Sequence, residues 1–243
     1  PLTQLHFADH LAHLSALRAA ALRAADPAAA VRRSLASADF ANAERVFVVG
    51  AGKAGAAMMQ AAAEILGERL TRAVVAVPTV PAQAPNRVTF VAGGHPAPTP
   101  GSLAAGRAVA DLLSQASSRD LVIALISGGG SATLELPSAD LPLGDLHTTT
   151  AALLKCGATI RELNTVRTQL SQLKGGGLAR LASPARVLAL ILSDVVGNDL
   201  SIIASGPTVP ATTTRAEALG VIDKYDLRSV LPMAILHHLT NDE

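Results

Sequence analysis

The first segment whose residues could bind an anion is GAGKAG at 50–55, which directly follows the apolar run VFVV. Its glycines match the G-x-G-x-x-G pattern of dinucleotide-binding turns, with Gly50 and Gly52 at the first two positions. Such a site also needs an acid about 20 residues later for the ribose, and residues 69–110 contain no Asp or Glu. Lys53 adds charge to the positive end of a helix dipole, a cost that a bound anion would offset. We therefore predict phosphate or carboxylate binding, with a tight steric turn and a solvated lysine as the alternative.

The second such segment is SGGGSA at 127–132, after the apolar run LVIALI. Three consecutive glycines allow the backbone to fold its N–H groups around an anion, and serine hydroxyls add donors. No Gly-Lys-Ser/Thr follows, and Thr133 stands where a nucleophile elbow centred on Ser131 requires glycine. The alternative is a flexible turn. The predicted phosphate-binding turn consists of Ser127, Gly128, Gly129, Gly130 and Ser131.

A helix predicted over 163–173 carries an apolar stripe and, one position further along, a polar stripe with the same spacing. The polar stripe consists of Asn164, Arg167, Ser171 and Lys174. Two cations without an intervening acid would hold a strongly anionic group, and KGGG at 174–177 adds backbone donors next to a cation. The alternative is a solvated basic face.

Asp194 follows the apolar run VLALIL, where a carboxylate could hold a divalent metal or accept a proton from a substrate hydroxyl. The alternative is a turn or cap aspartate. His95, in GGHPAP, could be a base, but between Gly and Pro we interpret it as a residue that stabilises its loop. The other histidines show no metal-ligand spacing that we would assign.

Strands and helices must bring these segments together. Short continuous apolar runs, typical of strands buried on both faces, occur at 46–50, 73–77, 87–92, 121–126 and 187–192. Helical stretches are predicted at 53–66, 101–116, 145–158, 160–173 and 174–182, after a long helix over 2–25 and a second one from Pro27 to about Ala36 with Asp26 as its N-cap. The pattern predicts an α/β fold: a Rossmann-like open, mostly parallel sheet with helices on both faces, preceded by N-terminal helices. Ligands of such sheets bind beyond the carboxyl ends of the strands, where the candidate residues lie.

Composition excludes several classes of protein. The 243 residues include 20 Lys and Arg against 19 Asp and Glu, a net charge of +1, which argues against a nucleic-acid binder. Four Phe, one Tyr and no Trp leave few platforms for stacking bases. No apolar run approaches the ~20 residues that span a bilayer, and the one cysteine suits a reducing compartment. We expect a cytoplasmic protein that binds neither nucleic acid nor membrane.

Five motifs in order resemble the MOFRL-associated glycerate 2-kinase family, over about residues 40–240. They are VVGAGKAG (48–55), AGGHPAP (92–98), LISGGGSA (125–132), ELNTVRTQLSQLKGGGLA (162–179) and LILSDVVGNDLSIIASGPT (190–208). The resemblance implies ATP-dependent phosphorylation of D-glycerate at its 2-hydroxyl, with Mg²⁺. It also implies a Rossmann-like N-terminal domain, a separate C-terminal domain and an active site in the cleft between them.

The resemblance also implies roles for individual residues. Lys53 would be the main catalytic cation on phosphates or substrate, and Ser127 to Ser131 would form part of the anion-binding loop. Asn164, Arg167 and Lys174 would line the cleft, and Asp194 would be the metal or base carboxylate. The sequence departs from the family pattern at Gly55 (often Ser), Thr168-Gln169 (usually Lys-His) and Thr99 (often an acid), which leaves substrate preference open.

The length leads us to expect that residues 1–243 are only the N-terminal domain, with helices at 1–40, an α/β core at 41–243 and the family's C-terminal domain missing. The expected partners are D-glycerate, ATP and that C-terminal domain, and a homo-oligomer stays open. Alone, the chain should turn over little or nothing. Two other functions remain: an NAD(P)H-dependent hydroxypyruvate reductase, and a non-catalytic module that binds an anion or nucleotide.

Overall fold

A computed structural model describes residues 7–40, 42–138 and 141–241. Its centre is a five-stranded sheet in the order β3-β2-β1-β4-β5, in which every neighbouring pair is parallel. The strands are β1 (Val46–Ala51), β2 (Leu70–Val77), β3 (Val88–Ala92), β4 (Leu121–Ser127) and β5 (Arg186–Leu192). The predicted α/β class with a parallel sheet is therefore confirmed, and each predicted apolar run forms a strand.

The helices of the described residues are α1 (Phe7–Ala24), α2 (Pro27–Ala36), α3 (Gly55–Leu66), α4 (Pro100–Leu113), α5 (Gly130–Thr133), α6 (Leu143–Lys155), α7 (Ile160–Gln169), α8 (Gly177–Ala182), α9 (Arg215–Lys224) and α10 (Met233–Thr240). Seven of them match the predicted helices with shifted ends, and α5, α9 and α10 are additional. The predicted cap of α2 is present, because the Asp26 carboxylate accepts a hydrogen bond from the Ala28 N–H at 2.9 Å. Residues 2–6 of the predicted first helix lie outside the described residues.

Two apolar layers cover the two faces of the sheet. Strand β1 shows how they arise, because its alternate residues point to opposite faces. Val49 packs in the layer with α4 and α8, whereas Val48 packs in the layer with α2 and α3. Every residue of the central strands β1 and β4 is buried, as their continuous apolar sequences predict. The edge strands β3 and β5 are only partly buried.

A third apolar cluster lies among α6, α7, α9 and α10. Its fully buried side chains include Leu153, Leu170, Ile222 and Ile235. This cluster anchors α7, the helix that carries Asn164 and Arg167. None of the described helices is long and apolar enough to cross a membrane.

Helix α7 ends at Gln169, a full turn before the predicted end at Leu173. The chain leaves the helix because residues 170–172 form hydrogen bonds with residues 136–138 instead. The Ser138 N–H donates to the Leu170 carbonyl at 2.9 Å, and the Gln172 N–H donates to the Leu136 carbonyl at 2.8 Å. The predicted four-residue polar stripe is therefore wrong in its second half, since Ser171 and Lys174 are not on this helix.

Asp120 fixes the start of β4 and supplies a pH-dependent part of the stability. Its carboxylate, 0% exposed, accepts hydrogen bonds from the Arg45 guanidinium at 2.7 and 3.1 Å and from the Ser117 N–H and hydroxyl at 2.7 and 2.8 Å. Arg45 above all lowers the pKa of Asp120 from 3.8 to about 2, although burial opposes the shift. Between those pH values the unfolded chain binds more protons, so this stabilisation is present above pH 4 and lost as pH falls through 2.

We expect Asp120→Asn to lower the free energy of unfolding by about 2 kcal/mol at pH 7, because a pKa unit corresponds to about 1.4 kcal/mol. The difference from the parent should shrink towards zero near pH 2. Denaturant titrations at both pH values measure it, with the exposed Asp111→Asn as the control. A difference that stays the same at both pH values would contradict the assignment to Asp120 ionisation.

Candidate active site

The candidate residues gather at the carboxyl ends of β1 and β4, the two central neighbours of the sheet. The GAGKAG turn follows β1, and the SGGGS turn follows β4. A third glycine-rich segment, KGGG, stands between α7 and α8. These three segments differ in one respect that decides what each can bind: whether their backbone N–H groups already have acceptors within the protein.

The backbone N–H groups of the GAGKAG turn donate hydrogen bonds to acceptors within the protein. Gly52 donates to the Ala76 carbonyl at 3.1 Å, and Lys53 donates to the Gly128 carbonyl at 2.9 Å. Ala54 donates to the Ser127 hydroxyl at 3.1 Å. The expectation that this turn offers free donors to an anion is therefore not met. It holds the second turn in place and presents only the side chain of Lys53, which is exposed.

Gly50 and Gly52 allow this turn to pack closely. Gly50 is buried, and a Cβ there would lie 3.1 Å from the Leu125 carbonyl oxygen. Gly52 has φ +117°, and a Cβ there would lie 2.5 Å from the Ser127 carbonyl oxygen. The two glycines thus bring the turn against β4, which is the steric role that the sequence offered as an alternative to ligand contact.

The SGGGS turn behaves differently. Within the described residues, the N–H groups of Gly128, Gly129, Gly130 and Ser131 donate no hydrogen bond. Gly129 adopts the left-handed conformation (φ 83°, ψ −4°), which glycine reaches without strain, and α5 begins at the next residue. Unpaired N–H groups at a turn that opens a helix suit an anion. Ser127 is an exception to the prediction, because its buried hydroxyl bridges the two turns and accepts from Ala54.

The three glycine N–H groups of the KGGG segment, like those of the first turn, already have acceptors within the protein. Gly175 donates to the Ser205 carbonyl at 3.0 Å, and Gly176 donates to the Gly206 carbonyl at 2.7 Å. Gly177 closes a turn on Lys174 at 3.0 Å. The prediction that this segment pairs a cation with free backbone donors is wrong, because tertiary contacts with residues 205–206 use those donors.

Lys174 is buried as well, with only 2% of its side chain exposed. Its ammonium group forms an ion pair with Glu135, which is equally buried and also accepts a hydrogen bond from the Ser171 hydroxyl at 2.6 Å. Burial lowers the pKa of Lys174 to about 8, and the Glu135 carboxylate opposes that shift. Lys174 lies in the interior and does not face the carboxyl ends of the strands. The prediction that it lines a cleft is therefore wrong.

Arg167 reaches the SGGGS turn from α7. Its guanidinium donates to the Ser131 carbonyl oxygen at 2.9 Å and to the Ser131 hydroxyl at 3.3 Å. Burial lowers the pKa of Arg167, and the Glu135 carboxylate partly offsets the effect. Arg167 and the SGGGS turn, which were predicted separately as anion-binding groups, therefore contact each other in the structure. The cation holds the first turn of α5 and adds positive charge next to the SGGGS turn.

Asn164 supports the same region from behind. Its side chain is 8% exposed, and its Oδ1 accepts a hydrogen bond from the Ser205 hydroxyl at 2.9 Å. The neighbouring Ala204 packs on Gly130, whose Cβ, if present, would lie 3.0 Å from the Ala204 methyl group. Asn164 thus positions residues 203–205 against the SGGGS turn.

Lys53 and Asp194 flank the SGGGS turn at its exposed side. A Cβ on Gly129 would lie 3.5 Å from the Lys53 Cε, and a Cβ on Gly128 would lie 3.0 Å from the Asp194 Cγ. Asp194 is exposed and accepts no hydrogen bond from the described residues. The arrangement places an exposed cation, an exposed carboxylate and unpaired N–H groups around three glycines.

No group of three or more His, Cys, Asp or Glu side chains that could hold a metal occurs among the described residues. A lone carboxylate still fits Mg²⁺, which commonly takes one or two carboxylates and completes its shell with phosphate oxygens and waters. Asp194 next to the unpaired N–H groups matches that requirement. It matches no all-protein cage for Ca²⁺ or Zn²⁺.

Two residues near the site are not among the predicted site residues. His95, interpreted as a residue that stabilises its own loop, lies over Gly129. Glu135 is the buried partner of Lys174. The signal for His95 was its position just after β3, the rule that already selected the other turns. For Glu135 the signal was an acid between two leucines, which indicates a buried charge that needs a partner.

The described residues form an α/β protein with an all-parallel sheet, and the SGGGS turn at the carboxyl end of β4 has N–H groups that donate no hydrogen bond. The family described as "Domain of unknown function (DUF4147)" matches residues 13–240, and the chain belongs to that family. The resemblance to glycerate 2-kinases noted from its motifs is also confirmed by the relatives.

The D-glycerate 2-kinase of Thermotoga maritima is 41% identical over 209 residues, which cover 83% of this chain and 50% of that protein. A protein of Agrobacterium vitis, named provisionally as a hydroxypyruvate reductase, is 44% identical over 203 residues, 81% of this chain and 51% of that protein. The crystal structure of a glycerate kinase from Thermotoga maritima superposes with a TM-score of 0.82 at 38% identity, covering 90% of this chain and 52% of that one. The chain thus spans about half the length of these relatives.

Proposed function

We propose that this chain supplies one wall of the active site of an ATP-dependent kinase that phosphorylates the 2-hydroxyl of D-glycerate, giving 2-phospho-D-glycerate. The observation that carries the proposal is the unpaired N–H cluster of Gly128 to Ser131, flanked by Lys53 and Asp194. Phosphoryl transfer needs donors and cations that spread the charge of the moving group, together with a carboxylate for metal or base, and little covalent chemistry.

The division of labour within the proposed site follows from burial and hydrogen bonds. The turn N–H groups and the Lys53 ammonium would hold phosphoryl or carboxylate oxygens, because they are the donors that the protein leaves unused. Arg167 would keep the turn rigid through Ser131, which lowers the reorganisation needed when charge develops. Asp194 would accept the proton of the substrate hydroxyl or hold Mg²⁺, which when bound neutralises charge on the phosphate oxygens.

The lengths of the relatives support a second part of the proposal. Lys53, His95 and Asp194 are exposed in this chain, whereas kinase active sites exclude water. The relatives named as glycerate kinases are about twice as long as the matched region. We propose that the opposite wall of the cleft comes from the half that those relatives have in addition, and that this chain alone gives little or no turnover.

The geometry of the GAGKAG turn disfavours a nicotinamide reductase. In a dinucleotide site the pyrophosphate binds at this turn and the helix that follows it, and an acid after the second strand binds the ribose. Here the N–H groups of Gly52 and Lys53 already have protein acceptors, and Val77 at the end of β2 is followed by Pro78 without an acid. The name of the Agrobacterium vitis relative makes reductase activity a necessary arm of the test.

The test compares the complete gene product containing this chain with the chain by itself. With ATP, Mg²⁺ and D-glycerate, the complete product should form 2-phosphoglycerate, whereas the chain alone should form little or none. With hydroxypyruvate and NADH or NADPH, neither should oxidise the cofactor. Reductase activity in place of kinase activity, or binding without any phosphoglycerate from the complete product, would overturn the proposal in favour of the reductase or the non-catalytic module respectively.

A further inference from the structure

His95 lies in the loop between β3 and α4, and this loop is fastened at both ends. The Gly93 N–H donates to the Val77 carbonyl at 2.9 Å. The N–H groups of Gly94 and Thr99 both donate to the buried Ser102 hydroxyl, at 2.9 and 3.0 Å. A Cβ on Gly93 would overlap the backbone of Thr133 in α5. The loop therefore packs directly on the helix that begins at the SGGGS turn.

This packing places the His95 ring over Gly129. A Cβ on Gly129 would lie 2.7 Å from the His95 Cδ2 and 3.1 Å from its Nε2. The Lys53 Cε lies 3.5 Å from the same point. The imidazole and the lysine side chain, which come from different loops, thus flank the same face of one glycine in the turn whose N–H groups are unpaired.

In a histidine that only stabilises its loop, the ring nitrogens would form hydrogen bonds within that loop. His95 instead forms no side-chain hydrogen bond within the described residues, and it is exposed. The loop is held by Ser102 and by the backbone of Gly93, without help from the ring. His95 is therefore a donor or acceptor that has no hydrogen-bond partner among the described residues, on a loop whose backbone is held beside the turn where we place the anion.

We infer that His95 binds the same oxyanion as the SGGGS turn, with Nε2–H as a side-chain donor beside Lys53. The inference rests on the proposed function and adds a residue to its site. The oxyanion is either the carboxylate of the hydroxy acid or a phosphoryl group of the nucleotide, which present the same acceptor oxygens. In this arrangement His95 selects an anion that reaches from Gly129 towards the loop after β3.

The experiment is an NMR titration of the ¹⁵N-labelled chain with ATP and, separately, with D-glycerate. The amide signals of Gly128 to Ser131 report binding to the turn, and their saturation gives Kd. The variants are His95→Ala, His95→Gln, which keeps an N–H donor at a similar reach, and His13→Ala, an exposed histidine on α1, as the control. We expect His95→Ala to raise Kd for one ligand by roughly tenfold or more, as for a lost hydrogen bond to a charged group. His95→Gln should recover most of the affinity, and His13→Ala should change nothing.

Each outcome decides the question. A loss confined to ATP assigns His95 to a phosphoryl group, and a loss confined to D-glycerate assigns it to the carboxylate. Turn amides that move with unchanged Kd in His95→Ala, whose other amide signals confirm its fold, would overturn the inference and leave the proposed function standing. Turn amides that respond to neither ligand, in this chain and in the complete gene product alike, would overturn both the inference and the anion site on which it rests.

Discussion

Replacing Lys53 with alanine should lower kcat at least ~100-fold in the complete gene product containing this chain, because Lys53 is the exposed cation beside the free N–H groups of the SGGGS turn. A hundredfold loss corresponds to about 2.7 kcal/mol of transition-state stabilisation. The effect should fall mainly on kcat, since charge that develops on the moving phosphoryl group is what the cation meets. The KM values for ATP and D-glycerate should change less.

The control for Lys53→Ala is Lys155→Ala, which removes another exposed lysine, at the end of α6. Both variants should unfold at the same denaturant concentration as the parent. The backbone N–H of Lys53 donates a hydrogen bond to the Gly128 carbonyl, and alanine keeps that bond. Steady-state rates of 2-phosphoglycerate formation measure the effect. A loss of tenfold or less would place Lys53 among residues that only complete the turn.

The strands and the position of each glycine turn could be predicted because their signals are local. A continuous apolar run bounded by glycine is typical of a buried parallel strand whatever the rest of the chain does. The rule that ligands bind beyond the carboxyl ends of such strands also placed Lys53 and Ser131 at the same end of the sheet, because β1 and β4 are neighbours. Arg167 was selected from the polar stripe of its helix, and that pattern does not show that the guanidinium reaches Ser131.

Which turn has free donors could not be predicted, because the acceptors are distant in sequence. The Ala54 N–H donates to the Ser127 hydroxyl, 73 residues away in the sequence, and the Gly175 N–H donates to the Ser205 carbonyl. The prediction for Lys174 failed for the same reason. Its buried ion-pair partner Glu135 is 39 residues away in the sequence, so the local pattern did not show that Lys174 lies in the interior. Glycine content marks where a backbone turns sharply, whereas long-range contacts decide whether that turn binds a ligand or braces a neighbour.

The three glycine segments are therefore connected through contacts with one another and with residues 203–206, and they have different roles. The N–H groups of the GAGKAG turn are bonded to the SGGGS turn and to β2, and those of KGGG are bonded to residues 205–206. Residues 203–205 in turn pack on Gly130. Two of the segments thus immobilise the third, and the third is the one left with unpaired donors. Preorganised donors of this kind are what electrostatic stabilisation of a transition state requires.

Gly52→Ala tests this bracing, and it should destabilise the chain by about 4 kcal/mol. Its φ of +117° is one that a side chain adopts only with strain of about 1–3 kcal/mol, and the added methyl group would lie 2.5 Å from the Ser127 carbonyl oxygen, which adds an overpacking cost of about 1–3 kcal/mol. Denaturant unfolding measures the loss.

The control is Gly220→Ala in α9, where a Cβ meets no atom within 4 Å and helix propensity should raise stability by about 0.5–1 kcal/mol. Because the strain falls on the contact between the two turns, Gly52→Ala should also move the amide signals of Gly128 to Ser131, whereas Gly220→Ala should leave them in place. If Gly52→Ala unfolded like the parent and left those signals unchanged, the first turn would not brace the second, and the preorganisation argued for the anion site would lose its support.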